Sequence, residues 1–272
     1  MRKVFYSWLW LMRRSATGLA ALLFGLAAFE LIQPVAIASL GDLDRLRGLL
    51  DVVPPAFLAL FNVTPEFLGG SGLKGYLSLG FSHPVYHLLS GATVIWIACR
   101  GLAGEMERGS IQVGLSRPMS RLQVYLARFL GVAAVTLLVA IAGPVGMIAG
   151  IAISSPAGDV DYLNFVVQGA ACALLVGCIG GVALLISASA SRMGQAVGWA
   201  IALLVISYVI DYFADLWDAL KPIEPYSVFD YYDPPGALVR GEVPVMNMAV
   251  LLSITVVGTV LGYVVFSRRD LP

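Results

Sequence analysis

Six apolar runs set the limits on how this chain can fold, near residues 16–38, 83–103, 123–153, 163–187, 195–217 and 247–267. Each is long enough to cross a hydrocarbon core about 30 Å thick, which takes roughly 20 helical residues. In lipid the backbone finds no water, so a spanning segment must satisfy its own N–H and C=O groups. The fold class that follows is an all-α polytopic membrane protein with six transmembrane helices, and residues 1–272 form a single transmembrane domain. Composition agrees: 12% of the residues are charged, about half the usual share of soluble domains. The third run is the longest and contains Gly143-Pro144, which predicts a kink or a tilt there.

Ahead of the first run, residues 1–14 read MRKVFYSWLWLMRR, aromatic and apolar between two basic pairs. Val4, Phe5, Trp8 and Met12 recur at helical spacing, and the segment is too short to span. It reads as a separate interfacial helix, with rings at headgroup level and basic residues facing anionic lipid. Ala36-Ile-Ala38 is a cleavage-like triplet, but Glu30 interrupts the apolar run before it and further spans follow, so this run reads as the first retained span.

Basic residues fix an expected orientation. With both termini cytoplasmic, the inner side carries Arg2, Lys3, Arg13, Arg14, Arg100, Arg108, Arg117, Arg121, Arg128, Arg192, Arg268 and Arg269, against Arg45, Arg47, Lys74, Lys221 and Arg240 outside. That bias is the one the positive-inside rule expects. Two long outer segments, 39–82 and 218–246, mix apolar and turn residues, and short interfacial or partly re-entrant helices are predicted within them.

Catalytic signatures are absent. GGSGLKGY at 69–76 lacks the spacing of a phosphate-cradling P-loop, and there is no GxSxG, HExxH or CxxC. The chain therefore reads as a non-enzyme with no catalytic residue, no metal site and no bound cofactor of its own. His83 and His87 stand one helical turn apart, at a spacing that suits either interfacial hydrogen bonds or metal ligation; Pro84 between them and the lack of further ligands favour the former. Cys99, Cys172 and Cys178 all lie in apolar runs and read as small packing residues. Glu30 is the one acid deep within a span, with Gln33 and Pro34 beside it. Intramembrane carboxyls line substrate or proton pathways, or hydrogen-bond a neighbouring helix; both readings stand. Gly146/Gly150, Gly194/Gly198 and Gly258/Gly262 carry the small-xxx-small spacing that lets helix backbones approach.

The polar stretch between the second and third runs is specific. Ala103-Gly-Glu-Met-Glu-Arg-Gly-Ser-Ile111, followed by Leu115-Ser-Arg-Pro-Met-Ser-Arg121, resembles the cytoplasmic signature of ABC-2 type transporter permeases. The ending Phe266-Ser-Arg-Arg-Asp-Leu271 is similar to that family's basic-then-Asp-Leu close. Ser110 stands where the family usually has Thr, and Met119 where it has Val. The resemblance implies a permease subunit of an ATP-driven exporter in a bacterial or archaeal cytoplasmic membrane, moving an apolar or amphipathic compound such as a drug, lipid or peptide.

It also implies partners: two copies of a soluble P-loop ATPase that bind the ATP and magnesium, a second permease copy or similar permease, and membrane lipid, with no role for nucleic acid. The implied docking element is a short coupling helix with its exit, comprising Gly104, Glu105, Glu107, Arg108, Gly109, Ser110, Arg117, Pro118, Ser120 and Arg121. Glu105, Glu107 and Arg108 are expected to meet charges on the ATPase, while Glu30 and Gln33 are candidates for the substrate pathway. An alternative is a module of the same fold that transmits ATPase action to an extracellular protein without moving a substrate.

Overall fold

Where water is missing, continuous helix is the cheapest way to satisfy a backbone, and the apolar runs appear as helices with few interruptions. The computed structural model describes residues 2–40, 48, 52–54, 72–109, 119–214 and 216–269. Its helices are α1 (Arg2–Leu40), α2 (Gly72–Ser82), α3 (Pro84–Gly101), α4 (Ala103–Glu107), α5 (Arg121–Ser154), α6 (Tyr162–Ser189), α7 (Met193–Ala214) and α8 (Val245–Arg268). Among the described residues, six helices are long and apolar enough to cross a membrane: α1, α3, α5, α6, α7 and α8. Apart from the start of α1, they agree with the six apolar runs of the sequence within a few residues.

The N-terminal segment differs from its sequence expectation. Residues 2–14 do not form a helix of their own: α1 runs unbroken for 39 residues. Nothing between Trp10 and Thr17 interrupts a helical ladder, and Ser15 is buried rather than exposed at a joint. At 1.5 Å per residue α1 is about 58 Å long, nearly twice a hydrocarbon core, so part of it projects beyond the apolar slab. The helix also continues through Pro34, and α5 continues through Pro144.

Each proline deprives a carbonyl four residues earlier of its helical donor. For Pro144 that carbonyl is Ala140, and Gly169 of α6 comes so close to it that a Cβ there would lie 2.9 Å from the oxygen. Glycines make the tightest crossings. A methyl group at Gly146 would collide with the Ala27 carbonyl of α1, and one at Gly150 with the Leu31 carbonyl. Between α6 and α8 the fit is reciprocal: a Cβ on Gly181 would lie 2.7 Å from the Thr255 oxygen, and one on Gly258 would lie 2.8 Å from the Gly181 carbonyl carbon. The third glycine pair, Gly194/Gly198 on α7, has nothing within 4 Å.

The chain thus has two polar ends around an apolar middle. One end gathers the start of α1, the α3–α4 junction, the start of α5 and the end of α8. The other holds α2, a 3-10 turn at Asp218–Tyr226 and a π-turn at Gly236–Arg240. Short helices are expected within 39–82 and 218–246, and these lie there; most of residues 41–71 lies outside the described residues. The second end is tied to the spans by Asn164, whose Nδ2 donates to the Leu238 carbonyl at 2.9 Å, and by Ser227, whose Oγ donates to the Ser207 carbonyl at 2.9 Å. On the exposed 3-10 turn, hydrogen bonding from Lys221 at 2.7 Å holds the Asp218 carboxyl below its ordinary range.

The two kinds of glycine give opposite expected outcomes. Gly146→Ala should lower the melting midpoint of the detergent-dispersed chain by roughly 5 °C, from an overpacking cost of about 1–3 kcal/mol. Gly198→Ala, in open space on a helix, should hold or raise it. Equal midpoints for both variants in a thermal melt would contradict the packing described.

Candidate functional site

The α3–α4 junction is where the sequence motif acquires geometry. Leu102 breaks the helix with φ −114° and ψ −72°, and the five residues of α4 turn along the bundle end. Arg108 caps α4, and Gly109 follows with φ +67°, a left-handed conformation that glycine adopts without strain. Gly104 faces Met193 of α7, where a Cβ would lie 3.2 Å from the sulfur. Side chain at this position would push α4 away from α7.

Polar bonds hold the short helix on every side. The Ala103 N–H donates to Ser187 Oγ of α6 at 3.0 Å, and that hydroxyl donates to the Ala98 carbonyl at 3.1 Å. Glu105 is only 3% exposed, and its Oε2 lies 2.8 Å from an Arg128 nitrogen of α5, itself in a residue 5% exposed. The second terminal nitrogen of Arg128 donates to the Ser7 carbonyl of α1 at 3.2 Å. Glu107 Oε2 accepts the Met193 N–H at 2.9 Å, so it satisfies a free donor in the first turn of α7.

This corrects one reading of the motif. Glu105 was expected to present its charge outward to a partner, yet it is spent inside the chain on Arg128. The reason is spatial: Arg128 lies two turns into α5, where an unpaired guanidinium would be buried without a counter-charge. Glu107 is exposed but also engaged, whereas Arg108 and Gly109 are exposed at the surface. Ser110, Arg117 and Pro118 lie outside the described residues.

The exit from the loop is equally well tied. Ser120 caps α5 in a reciprocal box with Gln123, the two bonds measuring 3.2 and 3.1 Å. Arg121 donates to the Ser267 carbonyl at 2.9 Å, and Arg269 donates to the Ala188 and Ala190 carbonyls, each at 2.8 Å. Both guanidinium groups thus sit on the carbonyl ends of helices, where cations are favoured. Sequence reasoning found the glycines and acids of this end but missed Arg128, Ser187 and the Met193 amide. The available signal was an arginine inside an apolar run, which calls for a partner.

At the opposite end the histidines do separate work. His83 caps α3, its Nδ1 accepting the Val85 N–H at 3.1 Å. His87 is buried among the rings of Tyr86, Tyr208, Phe229 and Tyr232, with centroids 4.8–6.0 Å away. Among the described residues, no three His, Cys, Asp or Glu side chains converge as metal ligands would. Glu30 is fully buried at this end, and Gln33 follows it one turn along α1, half-buried; both would contact a side chain placed at Gly80 of α2.

A bundle of six helices long and apolar enough to span, tied together at one end by a short helix, defines a polytopic membrane protein. The model for the ABC-2 family transporter protein matches residues 73–271, well over half of the chain, and the chain belongs to that family. Membership supports the role of a membrane permease component, and the family implies association with an ATP-binding subunit. No curated protein was found to match it.

Removal of either partner of the buried pair should be costly. Glu105→Ala strands Arg128 and is expected to destabilise the chain by about 3–5 kcal/mol, whereas Glu105→Leu combined with Arg128→Met should recover much of that loss. Chemical or thermal denaturation of the two variants in detergent, arranged as a double-mutant cycle, measures the difference.

Proposed function

We propose that this chain is the permease of an ATP-driven exporter that moves an apolar or amphipathic compound outward across a bacterial or archaeal cytoplasmic membrane. Two copies, or one copy with a similar permease, enclose the pathway, and both termini lie in the cytoplasm. Two soluble P-loop ATPases carry the ATP and magnesium and dock on the polar stretch from Gly104 to Arg121, including Ser110, Arg117, Pro118 and Ser120. The observation that carries this reading is the bonding of α4. Its residues reach α5 and, through Arg128, α1, as well as α6 and α7. A push on so short an element is passed to four spans at once.

The division of labour within the motif follows from burial. Glu105 transmits, because its ion pair joins α4 to α5. Glu107 sets the start of α7. Arg108, exposed at the turn, is the described charge best placed to meet an ATPase directly. Positive charge at this end also suits the cytoplasmic face. Arg14 stacks over Trp10 with 5.1 Å to the ring centroid, and Arg100 over Trp96 at 5.3 Å, arrangements suited to an interface with anionic lipid.

The decisive experiment is affinity purification of the tagged chain from native membranes in mild detergent. A P-loop ATPase is expected in the complex. Arg108→Glu should reduce its recovery by roughly fivefold or more, since reversing an interfacial charge costs about 1 kcal/mol or greater, while the melting midpoint of the permease stays unchanged. Full recovery of the ATPase with that variant would remove Arg108 from the docking surface, and recovery of no ATPase with the wild-type chain would overturn the permease assignment.

A further inference from the structure

Glu30 is a fully buried carboxyl with no hydrogen-bond donor to either oxygen among the described residues. It lies ten residues before the end of α1, about 15 Å along the helix. Pro34 carries no N–H, so the Glu30 backbone carbonyl also lacks its donor four residues on. Three acceptor oxygens of one residue are therefore left over at one place.

The surroundings repeat this imbalance. Glu30 lies within electrostatic reach of Tyr86 on α3, Cys172 on α6 and Tyr232 in the 218–246 segment. Two donors there are turned elsewhere: Tyr86 Oη donates to Cys172 Sγ at 3.0 Å, and Gln168 Nε2 donates to Tyr232 Oη at 2.7 Å. Gln168 Oε1, buried, is left without a donor. Aromatic faces complete the cluster, with Phe81 and Tyr86 edge-to-face at 5.2 Å and Phe229 and Tyr232 closing around His87.

Surplus buried acceptors beside several rings are the chemistry that recognises an organic cation. An ammonium group donates to carboxylate and carbonyl oxygens through its N–H bonds and is attracted to ring faces. Of the basic residues described at this end, Arg240 is 2.6 Å from Asp233 and Lys221 is 2.7 Å from Asp218, both in solvent-facing turns, and Lys74 stands in the first turn of α2, six residues before Gly80. We infer that Glu30, with Gln168 and the rings of Tyr86 and Tyr232, forms an occluded binding site for the ammonium head of an amphipathic substrate.

Helix α2 covers the site. Eight of its eleven residues are buried, and the carboxyl rests directly on Gly80, where a Cβ would lie 2.6 Å from Oε2. Access to Glu30 therefore requires α2 to move away from α1.

This inference rests on the chain being the subunit that forms the transport pathway, and the two fail in different experiments. For the site, the full-length chain in phosphatidylcholine nanodiscs is titrated with the cationic dye rhodamine 6G and followed by fluorescence anisotropy. Hexylammonium should displace the dye at least about tenfold more effectively than hexan-1-ol, which has the same chain and no charge. Glu30→Gln should weaken dye binding by about tenfold or more and remove the distinction between the two competitors. Equal displacement by amine and alcohol in the wild-type chain would overturn the inference without recourse to any variant, as would dye affinity in a folded Glu30→Gln variant within twofold of wild type. Absence of a co-purifying ATPase bears on the permease assignment and leaves the dye titration unaffected.

Discussion

The guanidinium of Arg128 cannot be left alone in the apolar body of this protein, and the arrangement of the whole polar end follows from that. An isolated buried charge costs several kcal/mol, so α4 turns back beneath the spans to bring Glu105 within 2.8 Å. The same guanidinium holds the Ser7 carbonyl of α1, which anchors the first helix against the third span. Once α4 is fixed, Ser187 and the Met193 amide find their partners on it. One charge thus organises five helices. The pair contributes little as a net source of stability; its use is in specifying which arrangement of apolar helices is adopted, because lipid-exposed surfaces by themselves scarcely distinguish one packing from another.

Packing then proceeds by backbone contact. Lipid chains are as apolar as leucine, so burying leucine against another helix gains little, and close approach of backbones matters more. Gly146 and Gly150 let α5 rest on carbonyls of α1, and Gly181 and Gly258 let α6 and α8 cross without side chains between them. Pro144 and Pro34 are accommodated in the same way: each frees a carbonyl, and the packing of neighbouring helices absorbs the change in place of a break.

The two ends of the bundle differ in polar balance, and that difference bears on function. At the α4 end, arginine forks meet helix carbonyls, a serine caps α5 and a glutamate caps α7. At the Glu30 end, neither oxygen of a fully buried carboxyl has a donor among the described residues, and α2 lies directly against it.

Much of this was legible in the sequence, because hydropathy and helix length are local properties. The six spans, the Gly-Glu-Met-Glu-Arg-Gly turn, the glycine pairs and the isolated Glu30 could all be read from the order of residues. Direction in space could not. The same two glutamates look alike in sequence, yet Glu105 is turned inward by Arg128 and Glu107 caps a helix more than eighty residues away. Three glycine pairs share one spacing, yet two lie in helix crossings and Gly194/Gly198 faces open space. The N-terminal aromatic segment carries the composition of an interfacial helix, yet it continues straight into the first span because nothing stops its hydrogen-bond ladder. Sequence alone determined that this chain crosses a membrane as six helices with a polar turn between the second and third. Only tertiary structure decided which polar groups are satisfied and which are left waiting, since a partner in a folded protein is set by distance across the bundle and not by position along the chain.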